Sequence, residues 1–170
     1  MAITGLKQTS SVVSIGFQTT ETAANTFTEA QTDLNLSPLD REVFVVLAIN
    51  LDPQTPDPIG GTNTTVGCSL TTTSQTALQN LSNSNCLASA SNAIRSDAPG
   101  NMVSFQTLGL ETPPATLEFI GIIATNDFFV QVLGVNNVAA KFVTGKVYGY
   151  RARADASIFA ALVQSEVLSA

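Results

Sequence analysis

The apolar positions of this chain fall mostly at a spacing of two. Over residues 11–19, Val13, Ile15 and Phe17 alternate with Ser14, Gly16 and Gln18, which predicts a strand with one buried face. Residues 25–34 predict a weaker strand around Phe27, ended by Pro38. Residues 42–51 read EVFVVLAINL and are apolar at both parities. Such a run belongs inside a sheet covered on both faces. Alternation resumes at 65–73 with Val66, Cys68 and Leu70, and at 102–108 with Val103, Phe105 and Thr107. Further strands are expected at 115–125, after Pro113 and Pro114, and at 128–133. Between these two, Asn126-Asp127 reads as a hairpin turn. A last strand is expected at 141–153, carrying Phe142, Val143, Val147, Tyr148 and Tyr150.

Two segments depart from this period. Residues 74–99 are rich in Ser, Asn and Ala, with Leu78, Leu81, Leu87 and Ile94 at loosely helical spacing. They predict a long polar insertion containing short helices, and insertions of this length are often interaction surfaces. Residues 155–168 lack Gly and Pro, begin at a capping Asp155, and place Ile158, Phe159, Leu162 and Val163 at helical spacing, predicting a terminal helix. Residues 52–61 hold Pro53, Pro56, Pro58 and the Gly60-Gly61 pair, a stiff turn-rich loop. About eight strands at short intervals in an all-β chain predict a β-sandwich of the jelly-roll type. It is expected as a single domain over 1–170, with the sandwich at 11–153, the 74–99 insertion, and the terminal helix. The Trp that immunoglobulin-like sandwiches often carry is missing, and no fixed-period repeat is visible.

Charge sharpens this picture. Only 12% of the residues are charged while 44% are hydrophobic, and the net charge is −6. A free globular domain carries roughly a quarter charged residues, so much of the surface is expected to be covered by neighbours. The acidic balance argues against a nucleic-acid partner, because neutralising phosphates requires basic surface. The exception is residues 141–153, where Lys141, Lys146, Arg151 and Arg153 occur with no acid. Arg151 and Arg153 share one face of a strand. They are expected to face an acidic neighbouring subunit or, as the lesser alternative, packaged nucleic acid, or else to keep a sheet edge soluble.

The chain has no histidine. That removes the usual proton carrier of enzymes near neutral pH and every Ser/His or Cys/His pair. Cys68 and Cys86 have no metal-ligand spacing and cannot form a four-ligand zinc site; a disulfide between them is possible but not required, and two buried free thiols are the expected reading. Carboxylate pairs are available at Glu111 with Glu118 and at Asp40 with Glu42, but surface charge beside turns is the expected role. Asp52 and Asp57 lack the pattern of a calcium loop. Gly145-Lys146 lacks the remainder of a phosphate-binding loop. The sequons at Asn35, Asn63 and Asn80 are what so Ser/Thr-rich a chain produces by chance. No catalytic, cofactor or metal residue is therefore expected. The first residues have no basic stretch followed by an apolar one, so no export signal is expected. No apolar run is long enough for a membrane span.

In strand count and composition over residues 11–153, the chain resembles small jelly-roll virion proteins, which are rich in Thr, Ser and Asn, low in charge, and tile a shell. The resemblance implies a structural, non-enzymatic subunit of a self-assembling particle, a capsid or capsid-decorating protein located in the virion. Its partners would be copies of itself and other virion proteins, with no small-molecule substrate. A phage tail-tube or extracellular filament subunit, or a ligand- or carbohydrate-binding sandwich, are the alternatives. The terminal helix is more apolar than one packed face requires. An assembly interface is therefore expected at Arg151, Arg153, Ile158, Phe159, Leu162, Val163 and Val167.

Overall fold

A computed structural model describes residues 4–112 and 117–170, without the side chains of residues 110 and 111. The strands, in chain order, are β1 (Leu6–Gln8), β2 (Val13–Thr20), β3 (Thr28–Asp33), β4 (Glu42–Pro53), β5 (Thr64–Thr71), β6 (Cys86–Ala98), β7 (Asn101–Thr107), β8 (Gly109–Glu111), β9 (Gly121–Ile123), β10 (Asp127–Val135) and β11 (Phe142–Ala154), followed by one helix, α1 (Ala156–Leu168). They form two antiparallel sheets. One has the path β1-β11-β4-β8, with β2 also on β11 and β9 also on β4; the other runs β3-β10-β5-β6-β7.

The pairing is nested. β2 pairs with β11, β3 with β10, β4 with β8 and β9, and β5 with β6. An antiparallel ribbon folded at β5–β6 and rolled so that its halves fall alternately into two sheets has this order. It is the jelly-roll sandwich expected from the alternation. The core lies between the sheets: Phe44, Val46, Ile49, Leu51, Val143 and Val147 from one side meet Val66, Cys68, Leu70, Phe128, Val130 and Val132 from the other. Phe17 of β2 and Phe128 of β10 pack edge to face across it, their ring centroids 5.8 Å apart.

Strand β4 accounts for the doubly apolar run. Its first half sends Phe44 and Val46 into this core and Val43 and Val45 into a second cluster on the outer face. Opposite β11 the register then slips: Tyr148 faces Ala48 but Gly149 faces Val46, leaving Leu47 as a bulge. After the bulge the parity inverts, so Ile49 and Leu51 point inward. Gly149 is required at this crossing. A Cβ there would lie 2.3 Å from the Val45 carbonyl oxygen and 2.5 Å from the Phe44 ring.

Three expectations are corrected. Residues 74–99 are not an insertion with short helices, because Cys86–Ala98 form β6, one of the two longest strands. Its alternating small residues, Ala88 and Ala90 inward with Ser89 and Ser91 between, fit a sheet interior that helix spacing obscured. The strand expected at 115–125 is reduced to β9; residues 115 and 116 lie outside the described residues. Asn126-Asp127 is not a hairpin turn, because β9 and β10 belong to different sheets. Asn126 instead turns the corner between them, its Oδ1 accepting from the Leu36 N–H (2.6 Å) and its Nδ2 donating to Asp33 (2.8 Å).

Part of each outer face is covered. The polar segment ahead of β6 lies over the β3-β10-β5 face through a closed hydrogen-bond network. Gln131, fully buried, accepts from Ser69 (2.7 Å) and donates to Thr71 (2.7 Å) and Glu29 (2.8 Å). Glu29 in turn accepts from Ser74 and from the Gln75 N–H. Helix α1 covers the second cluster on the opposite sheet.

Candidate assembly surfaces

The residues expected to meet a neighbour were those of α1 and the two arginines. Ile158, Phe159, Leu162 and Val163 are half-buried and lie against the chain's own Val43, Val45, Ala152 and Ala154. This apolar side of the helix is matched by the apolar outer face that β4 presents beneath it. Asp155 occupies the N-cap position, but its side chain makes no cap bond; its N–H donates to the Gly5 carbonyl (3.0 Å). At the other end Glu166 is buried and ties the helix to the β9–β10 corner. It accepts from the Ala124 N–H (2.7 Å), the Thr125 N–H (3.1 Å) and the Thr125 hydroxyl (2.8 Å). Fixed at both ends, α1 is a cover for the sheet rather than a free arm. Its exposed residues are Ala156, Ser157, Ala160, Ala161, Gln164, Ser165, Val167 and Leu168, with no charge among them. Val167 is thus the only one of the expected helix contacts that faces away from the sandwich.

Arg151 and Arg153 find partners inside the chain. Arg151 donates to the carbonyls of Leu34 (2.7 Å) and Asn35 (3.1 Å) and stands 3.6 Å from Glu42. Arg153 stands 3.6 Å from Asp40, both side chains being well exposed. The carboxylates considered as a catalytic pair, Asp40 and Glu42, are therefore held by these arginines and by Ser37. Asp57 is similarly engaged. It accepts from Lys141 Nζ (2.6 Å) and from the N–H groups of Val138 and Ala139, and these donors hold its carboxyl below the ordinary aspartate range, the lysine contributing most. Cys68 and Cys86 form no disulfide and are buried, and burial pushes the Cys68 thiol up to about 12. No group of three or more metal-ligating side chains occurs among the described residues. The Glu111 side chain, one half of the other carboxylate pair, lies outside the described residues.

The surface that sequence reasoning missed is β7. The alternation of Val103, Phe105 and Thr107 predicted one buried face, yet every residue of β7 is exposed. Val103 and Phe105 are each 58% exposed and Met102 is 41% exposed. The cause is position. β7 ends the β3-β10-β5-β6-β7 sheet and pairs with β6 alone among the described strands. Open grooves flank it, one lined by Arg95, Asp97, Met102 and Val103 and the other by Thr55, Pro56, Ile94 and Gln106. The available signal was the absence of any charge between Asp97 and Glu111 in a stretch carrying large apolar residues at both parities.

Topology and surface together define an antiparallel jelly-roll β-sandwich with exposed apolar side chains along the edge strand β7 and at the end of α1, among others scattered over its loops and strands. No protein-family model matches the chain, and no curated protein is similar to it. Among solved structures it is similar to a chain of Desmodium yellow mottle tymovirus, with 11% sequence identity and a TM-score of 0.27, over 86% of this chain and 91% of that one.

Proposed function

We propose that this protein is a structural, non-enzymatic subunit of a self-assembling particle, of the shell-forming or shell-decorating kind found in virions. The observation that carries the reading is β7, a seven-residue edge strand without charge and with apolar side chains exposed on both faces. Edge strands of free proteins are ordinarily blunted by lysine, proline or a covering element, and scattered exposed apolar residues become informative when they are contiguous. A second neutral patch, Val167 and Leu168 at the end of α1, adds to the surface that a neighbour would cover. The partners are copies of the same chain and other proteins of the particle. No helix among the described residues is long and apolar enough to cross a membrane.

Electron microscopy and sedimentation of the purified protein test the proposal. Closed shells or rings are expected. Tubes would move the reading to a tail-tube or filament subunit, and a stable monomer at high concentration would overturn it.

A further inference from the structure

We propose that β7 is completed by the β7 of a second copy, paired antiparallel about a two-fold axis at Ser104, so that the two β3-β10-β5-β6-β7 sheets become one. The inference rests on the self-assembly reading and names the partner and register of that contact.

An edge strand carries a row of unpaired N–H and C=O groups along its free side, and what satisfies them best is another extended strand. Charge selects the occupant. The opposite edge of the same sheet, β3, reads TEAQTD, and self-pairing centred on Gln31 would set Glu29 against Asp33. Like charges directly opposed destabilise a sheet, and the chain's net charge of −6 makes acidic contacts between copies costly. β7, reading NMVSFQT, opposes nothing to itself.

With Ser104 on the axis, Val103 of each copy lies against Phe105 of the other, Met102 against Gln106, and Ser104 against Ser104. An aromatic residue facing a β-branched one is among the favourable cross-strand pairs, and the symmetry supplies it twice. The geometry also satisfies the rule that a two-fold contact must be made by one self-complementary patch. Exposure on both faces leaves room above and below the strand for the partner's side chains.

Single cysteines read the register. Cys68 and Cys86 are buried, so an exposed new thiol reacts alone. Under mild oxidation, or with a short bismaleimide, Ser104→Cys is expected to give a covalent dimer. Gln106→Cys alone is expected to give none, whereas Gln106→Cys mixed with Met102→Cys is expected to give a heterodimer. Phe105→Lys, an exposed position, is expected to keep the wild-type circular dichroism and melting curve while weakening association by roughly tenfold or more. Dimers from Gln106→Cys alone would overturn the register. Particles that assemble normally with Phe105→Lys, and whose Ser104→Cys form does not cross-link, would overturn the β7 contact while leaving self-assembly intact. A protein monomeric in every form would overturn both.

Discussion

Buried carboxylates act in this chain as acceptors for backbone N–H groups that have no ladder partner. Glu21 accepts from the N–H groups of Gly134 (2.6 Å) and Lys141 (2.8 Å), closing the loop between β10 and β11. Gly134 permits this approach, since a Cβ there would stand 2.8 Å from Asn137 Nδ2 and 3.1 Å from Glu21 itself. Glu166 does the same for Ala124 and Thr125. A buried N–H left without an acceptor costs about 1–3 kcal/mol. Glu166→Ala is therefore expected to lower the melting temperature by about 2–4 °C for each kcal/mol lost, read by thermal denaturation, whereas Gln164→Ala on the outward face is expected to change it little. Asp57 adds a pH dependence. Its native pKa is lowered by Lys141 and by the Val138 and Ala139 N–H groups. The stability it contributes is thus complete above the ordinary value of 3.8 and is lost as the pH falls from there through the lowered native value. Urea titrations at pH 7 and pH 3 are expected to show a smaller acid loss for Asp57→Asn than for the wild type.

At the scale of elements, α1 and β7 exchange the roles that their sequences suggested. The helix looked like an unsatisfied surface and is a lid on an apolar sheet face; the strand looked half-buried and is exposed on both faces. Deleting residues 155–170 would uncover Val43, Val45 and Ala152. Ile158, Phe159, Leu162 and Val163, half-buried, contribute on the order of 1 kcal/mol each, against a total stability of roughly 5–15 kcal/mol. The truncated chain is expected to lose a large share of its stability, seen as a lowered urea midpoint and binding of an apolar dye. Val167→Glu, on the outward side, is expected to leave the urea midpoint unchanged while reducing particle yield. A truncated chain as stable as the whole would show that the helix contacts are superficial.

For the whole molecule, nested pairing has a kinetic cost. β2 must find β11, and β3 must find β10, across most of the chain. Loop closure is thus completed before many native contacts reward it. Refolding from urea, followed by circular dichroism after a rapid dilution, is expected on the millisecond-to-second scale or slower. A microsecond phase carrying the full amplitude would contradict this topology. Slow folding with an uncharged edge exposed also predicts aggregation that rises with concentration.

Period-two alternation was enough to establish an all-β sandwich with a terminal helix, because hydrophobic burial acts residue by residue and leaves its spacing in the chain. Residues 155–168 were legible for the same reason, as was the doubly covered β4. What tertiary structure alone decided was which apolar groups find cover. β6 was hidden because Ala and Ser are small enough to suit either period. The bulge at Leu47 was hidden because it depends on Gly149, far along the chain. The arginines' partners, Asp40 and Glu42, and the exposure of Val103 and Phe105 depend on which strands lie beside them. Alternation says that a face is apolar; only the assembled sheets determine whether anything lies against it.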